Sequence, residues 1–453
     1  MPDDLLQFTG EVRAFLDAHV PRAAERAAFR WGEGDDRVAY FGADPPEVEE
    51  RKLRAARDWQ RTRYENGFGW ISGPPEYGGR GLTPVHELVY DGIESEYDVP
   101  DTGTLSVIGL GMIGPTILAH GQQGVKDRYL PAMYRGDVIA CQLFSEPGAG
   151  SDLAGLQTRA VPGPGEWILD GQKVWTSVAQ HSQIGMALCR TDPDAPKHQG
   201  ITAFLVDMSA PGVDVRPLRQ MSGGSDFNEV FLTSVRVPDD HRLGEVNGGW
   251  RVALTTLMNE RATVGSEGSG PVAEALSPER LSALMRATWT WDDRALRRDL
   301  SELLADMMAT EHLNRRAFRR MQAGVAPGPE MSVAKLMYAQ NLTRAAHFVS
   351  RVLGPRIIAD TGEWGTYAWT ELLLATPALR ILGGTEEIMK NILAERVLGL
   401  PKEPGIDTTS PFRALPKSGG TSLTRARRSW TSCARPCGSS WRPSPARARS
   451  APR

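Results

Sequence analysis

Cysteine is scarce in this sequence: four residues in 453, at positions 141, 189, 433 and 437, with no regular spacing. That excludes a small disulfide-stapled secreted domain. Cys433 and Cys437 lack the second ligand pair a structural zinc needs, so no metal site is expected. Long apolar runs are also lacking. The most apolar stretch, 105–120, is interrupted by Gly109, Gly111, Gly114 and Pro115 and reads as too short to cross a bilayer, so no membrane contact is expected. The start, MPDDLLQF, has acidic residues where a signal peptide carries basic ones, and a cytoplasmic protein is the expectation. Acidic residues are missing from 418–453, which holds eight arginines among many Ser and Pro. Such a stretch is expected to be disordered and without function, as part of a basic tail over 403–453. Without those eight charges the formal net of −3 becomes −11 for the body, which is unsuited to nucleic acid.

What is present is ordinary globular composition, 41% hydrophobic and 24% charged, in a chain long enough for two or three domains. Over 1–137 the apolar residues recur at three- and four-residue spacing, in LLQFTGEVRAFLDAHV and VEERKLRAARDWQRTRYE, which predicts an all-helical domain. Over 138–243 the texture turns to short β-rich runs such as EWILDGQKVWTS, IGMALCR and ITAFLVDM, separated by Gly/Pro turns, and predicts a β-barrel or sandwich. Helical periodicity returns over 244–402. Helix, then strand, then helix without interleaving is an α+β arrangement.

Two motifs carry the weight of a ligand site. Residues 141–160, CQLFSEPGAGSDLAGLQTRA, lead a strand-like run into a Gly-rich turn that presents backbone N–H groups and the hydroxyls of Ser145 and Ser151. In KVWTS, Trp175 offers an aromatic face beside the hydroxyls of Thr176 and Ser177, as a flavin ring needs. A third candidate, the literal GxGxxG at Gly109, Gly111 and Gly114, lies between helical segments with Pro115 at once after it and no βαβ unit around it. Close helix packing explains those glycines better than a dinucleotide.

SEPGAGSD, KVWTS and GGTEEIMKNILAERVLG stand in the order and spacing of the acyl-CoA dehydrogenase family, and the chain resembles that family over roughly residues 1–401. The resemblance implies an acyl-CoA dehydrogenase-like fold, with an N-terminal helical domain, a middle β-barrel and a C-terminal four-helix bundle. It implies FAD held between the second and third of these, an acyl-CoA substrate, and electrons passed to an electron-transfer flavoprotein. A neighbouring subunit completes the adenosine end, so a homodimer or homotetramer is implied, or a hetero-oligomer with a related chain. By position, Gln142, Leu143, Phe144, Ser145 and Ser151 line the flavin, with Ser151 also near the CoA. Trp175 packs on the isoalloxazine with Ser177 on its N5 side, Thr176 between them also binds the cofactor, and Thr385 and Glu387 contact FAD.

The sequence departs from the family in two places. Many members carry their catalytic glutamate just before the GT motif, where this chain has Gly383. Removing an α-proton of a thioester together with a β-hydride needs a carboxylate. Some members place it instead in an Glu-Arg pair on the first helix of the C-terminal domain, and here that pair is Glu260-Arg261. Glu260 is therefore the expected base and Arg261 an orienting residue at the CoA end. Gly383 and Gly384 are left to meet the thioester through backbone groups. The second departure is at the FAD pyrophosphate, where the family's arginine before Phe-Gly is absent. Arg351 serves a phosphate there or is an exposed helix arginine, and Arg294, Arg297 and Arg298 are also available. An acyl-CoA oxidase, a subunit lacking its own full active site, and a non-enzymatic scaffold are the competing readings.

Overall fold

The computed structural model describes residues 3–23, 29–38, 40–41, 44–264, 271–322, 328–329, 331–402 and 409–416. Its helix, strand, helix order is the one the sequence texture predicts. The first helices are α1 (Asp3–His19), α2 (Pro46–Glu65) and α3 (Pro84–Glu94). Proline at the first turn starts α2, and Thr83 and His86 close a capping box on α3. Their apolar faces meet in an aromatic core, with Phe15 stacked on Trp59 at 5.7 Å and Phe68 on Tyr90 at 5.5 Å.

The glycine-rich segment departs from expectation. Gly103–His120 is one continuous helical run, α4 (Gly103–Leu105), a π-helical stretch (Ser106–Ile113) and α5 (Gly114–His120), and by length and hydropathy (1.3) it is apolar enough to cross a membrane. In the fold it is an interior element, with Ile113 and Ile117 fully buried. At Gly114 the glycine serves close packing: a Cβ there would come 2.9 Å from Oη of Tyr134, which donates to the Leu110 carbonyl at 3.1 Å. The turn regained by widening to π geometry lets the helix run through its glycines. Helix α6 (Gln123–Tyr134) then leads into the sheet.

The β domain comprises β1 (Ala140–Leu143), β2 (Arg159–Gly163), β3 (Glu166–Ser177), β4 (Ile184–Arg190), β5 (Ile201–Asp207), β6 (Val213–Leu218), β7 (Phe227–Pro238) and β8 (Arg242–Leu243). The pairing path is β6-β7-β3-β2-β4-β5-β8, with β1 parallel to β4 off that path. One leaf, β6-β7-β3-β2, meets the other at the single pair Arg159↔Arg190, and a core of Leu169, Val230, Val235, Ala187, Cys189 and Phe204 fills the space between. Every residue of β4 is buried. Alternate side chains serve two cores: Ala187 and Cys189 face the β interior, while Met186 and Leu188 face the helices.

The last domain comprises α7 (Gly249–Val264), α8 (Pro271–Ala275), α9 (Pro278–Ala287), α10 (Arg294–Gln322), α11 (Met331–Leu353), α12 (Trp369–Leu379) and α13 (Glu386–Ile392). Helix α11 is its axis, touching α7, α10, α12 and α13. Leu296, Leu300 and Leu303 of α10 meet Leu342, Ala345 and Val349 of α11 at helical spacing.

Two segments lie where sequence periodicity gave no sign. Residues 29–38 and 40–41 cross to the C-terminal helices: Val38 is fully buried there, the Gly34 carbonyl accepts from the Trp364 indole at 2.9 Å, and Asp36 accepts from the Gly365 N–H at 2.6 Å. Of the basic tail, residues 409–416 are among those described and pack on the β domain, so the expectation of disorder does not hold for those eight residues. The Phe412 N–H donates to the Ala195 carbonyl at 2.9 Å and its ring lies 3.8 Å from the Arg190 guanidinium carbon. The remainder of the tail, with Cys433 and Cys437, lies outside the described residues.

Candidate functional site

The turn after β1 and the end of β3 are brought side by side. The Val174 N–H donates to the Ser145 carbonyl at 2.9 Å, next to a register shift in the β3–β7 ladder. That irregularity carries Trp175 at φ +59°, a left-handed backbone that turns its ring outward, 61% exposed and edge-on to Phe227 at 6.0 Å. Beneath, Lys173 is completely buried and its ammonium donates to Oε1 of Glu146 at 2.8 Å, the Leu188 carbonyl at 2.8 Å and the Phe144 carbonyl at 3.2 Å. Glu146 also accepts the N–H groups of Gln157 (2.6 Å) and Thr158 (2.9 Å). Burial opposes its ionisation, but Lys173 and these hydrogen bonds hold the carboxyl below the usual range. The pair therefore fastens both ends of the 145–152 turn to β3.

Individual candidates occupy different environments within this patch. Leu143 and Phe144 are core side chains, with Leu143 paired to Ala187 of β4 and the Phe144 carbonyl accepting from Lys173, so neither side chain faces a ligand. Gln142 and Ser145 are half-buried, and Ser151 is exposed at the tip of the turn, beside Asp152 on Lys197. Thr176 is buried with its Oγ1 bonded to no described group, on the interior side of the strand end whose Trp175 ring faces outward, and Ser177 is half-buried. Phe41, from the crossing segment, packs edge-on to Phe227 at 5.3 Å and extends this aromatic surface. Sequence reasoning missed Phe41 because its segment has no periodicity.

A second constellation forms between α7 and the turn joining α12 to α13. Glu260 is half-buried on α7, and its Oε1 lies 3.4 Å from the point where a Cβ on Gly383 would stand. The α7 carboxylate thus reaches the place that a side chain at 383 would occupy. Both glycines of the turn are left-handed, Gly383 at φ +64° and Gly384 at φ +98°, which L side chains adopt at a cost. The Gly384 carbonyl accepts from Lys335 of α11 at 2.7 Å. The Thr385 hydroxyl caps α13 by accepting from the Ile388 N–H at 3.2 Å. Glu387 is exposed, its carboxyl lowered by its own N–H and the Thr385 hydroxyl. Arg261 continues α7 beyond Glu260, but its side chain lies outside the described residues. Arg351 forms an ion pair with Asp299 of α10, and Arg298 stands 3.9 Å from Asp299 and Glu302.

The two constellations flank the interior helix 103–120. Gly109 sits beside the Ala140 backbone at the foot of β1, and Thr116 meets Thr256, one turn before Glu260 on α7, at 3.0 Å.

Three family signatures match the chain: acyl-CoA dehydrogenase N-terminal domain over 2–137, middle domain over 141–235 and C-terminal domain over 247–398. Among curated relatives, acyl-CoA dehydrogenase FadE34 of Mycobacterium tuberculosis is 43% identical over 333 residues, 73% of this chain. The match spans only 44% of that relative's length. Acyl-CoA dehydrogenase IpdE1 of the same organism is 34% identical over 409 residues, covering 88% of this chain and 99% of the relative. Among solved structures, one titled Tcur3481-Tcur3483 steroid ACAD shares the fold, with TM-score 0.65 and 24% identity over 89% of this chain and 99% of that one. The ChsE4-ChsE5 complex of Mycobacterium tuberculosis gives TM-score 0.64 at 24% identity, with 89% and 99% covered. The family is one of FAD-dependent flavoproteins, and the outward Trp175 ring, with the half-buried Ser177 two residues on and Phe227 edge-on to it, is an aromatic surface that fits a flavin. The chain belongs to the acyl-CoA dehydrogenase family.

Proposed function

We propose that the protein dehydrogenates an acyl-CoA thioester between its α and β carbons, with Glu260 as the base. The observation that carries this is the 3.4 Å approach of the Glu260 carboxylate to the vacant side-chain position of Gly383. A base arriving from α7 reaches the α-carbon that a residue at 383 serves in many relatives. Bound FAD supplies the acceptor for the β-hydride. Glu260 takes the α-proton, and the N–H of Gly383 or Gly384 hydrogen-bonds the thioester carbonyl and stabilises the charge that develops on it. Ser145, Trp175, Thr176 and Ser177 hold the flavin, with the backbone of 142–144 beside them and Thr385 and Glu387 at the α13 end. Ser151 and Arg261 orient the CoA.

A bulky or branched acyl group is the substrate class this arrangement favours, because Gly383 leaves volume beside the thioester. A fold relative whose title names a steroid ACAD accords with that. An electron-transfer flavoprotein is the proposed acceptor, and oxygen the alternative, distinguished by peroxide yield. The second reading, half of a hetero-oligomer, is motivated by the missing carboxylate at 383, and Glu260 opposes it. One active flavin per subunit in the purified single chain separates the two.

Glu260→Gln is expected to fold and retain yellow, FAD-loaded protein while flavin reduction by substrate falls about 100- to 10,000-fold. Near-normal reduction in that variant would remove Glu260 from the chemistry.

A further inference from the structure

Lys335 is a buried lysine that the reaction scheme does not use. It is 5% exposed on α11, and its ammonium donates to two main-chain carbonyls, Leu379 at 3.2 Å and Gly384 at 2.7 Å. Leu379 ends α12, so the first bond places positive charge at a helix C-terminus. The second clamps the left-handed glycine turn. Two neutral acceptors do not require a cation, and burying one is costly without a compensating anion. Glu386 is close, but Arg380 already holds its carboxylate at 2.7 and 3.2 Å. On the other side of the turn is Glu260. A Cβ at Gly383 would stand 3.4 Å from Oε1 of Glu260 and 3.8 Å from Cε of Lys335, so the two side chains face each other across one glycine.

We propose that Lys335 is a positioning residue for α-proton abstraction, its ammonium locking the glycine turn onto α11 while facing Glu260 and keeping that carboxylate charged and in place. The proposal rests on the reading of Glu260 as the base. Burial depresses the Lys335 ammonium, and Glu386 and Glu260 pull the other way. The other charged groups around the turn are accounted for. Arg380 and Lys390 both lie on Glu386, and Glu387 is exposed. The 103–120 helix contributes only His120, bonded to Thr255 at 2.8 Å, and on α7 Arg261 follows Glu260 with its side chain outside the described residues.

The test is the pH profile of kcat/KM for Lys335→Met and Lys335→Arg in the FAD-loaded full chain, measured with an artificial acceptor alongside flavin content and thermal melting. The acid limb of that profile reports the essential base of the free enzyme. Removing a cation from beside a carboxylate disfavours the ionised form, so Lys335→Met moves the limb up by about one pH unit. Lys335→Arg keeps the limb at the wild-type position even where kcat drops. A purely structural role would lower melting temperature and flavin content in both variants without moving the limb. A Lys335→Met limb coincident with wild type overturns the proposal, as does a Lys335→Arg limb displaced from it. If Lys335→Met does not fold, Lys335→Gln, which removes the charge and keeps a polar head for the two carbonyls, is read by the same criterion. Glu260→Gln runs in parallel: loss of turnover there with an unmoved Lys335→Met limb sinks this proposal only, whereas retained turnover sinks the base assignment itself.

Discussion

Lys173 shows how much of the surface around Trp175 hangs on one side chain. It has no exposed area, and its three bonds tie β1, β4 and the 145–152 turn together. Lys173→Met would leave the Glu146 carboxylate buried without its counter-charge, a change that costs about 3–5 kcal/mol. The expected outcome is a large drop in melting temperature with loss of bound FAD, and unchanged melting would refute the anchoring role. Acid should reproduce part of this. The Glu146 carboxyl is held below its unfolded value, so its stabilisation is fully present above the ordinary carboxylate range and disappears as pH falls through the depressed folded value. Urea midpoints measured from neutrality into acid should therefore fall, and the fall should be shallower in a variant in which both Lys173 and Glu146 are apolar.

At the scale of elements, the strap 409–416 is held by backbone pairing as well as by side chains. Pro411 bridges Pro196, the Arg413 N–H donates to the Pro193 carbonyl at 3.0 Å, and Phe412 covers Arg190. Arg190 is buried, its guanidinium is spent on the carbonyls of Lys197 and Ala154 at 2.6 Å each, and burial lowers it to about 10. The Phe412 ring shields this cation from water and attracts it through its π-face, worth about 2 kcal/mol when desolvated. Phe412→Ala is expected to lower stability by roughly that amount in urea unfolding while Phe412→Tyr does not. Ala154 follows the Gly-rich turn, so the strap also braces that turn from behind. The helix 103–120 teaches a related lesson. Its glycines read as breaks in an isolated peptide, but Tyr134 needs the space that Gly114 leaves, and packing outweighs the roughly 1 kcal/mol that glycine costs a helix.

In the whole molecule, the site depends on domains being closed against each other, and residues 29–38 and 40–41 contribute to that closure. They leave α1 and end against α12 and Phe227, with Asp36 accepting the Gly365 N–H and Arg37 bridging Asp44 and Glu371. Asp36→Ala would leave that N–H without its acceptor at a cost of about 1–3 kcal/mol, and melting is expected to fall for the C-terminal helices and the flavin surface together. Separate transitions would show that the crossing segment does not couple them.

The sequence alone determined the order of helical and β regions, because periodicities of 3.6 and 2 report which side of each element is buried without naming its partner. It also singled out Ser145, Trp175, Gly383 and Glu260 as candidate site residues. Tertiary structure decided the rest. That the Glu260 oxygen stands beside Gly383, that Lys335 faces it from α11, and that Lys173 holds Glu146 all depend on contacts between residues far apart in the chain. Residues 29–38, 40–41 and 409–416 have no periodicity, so their places follow only from the pockets and carbonyls that other elements present. A local pattern encodes a buried face, whereas the identity of what covers it is fixed only when the chain closes on itself.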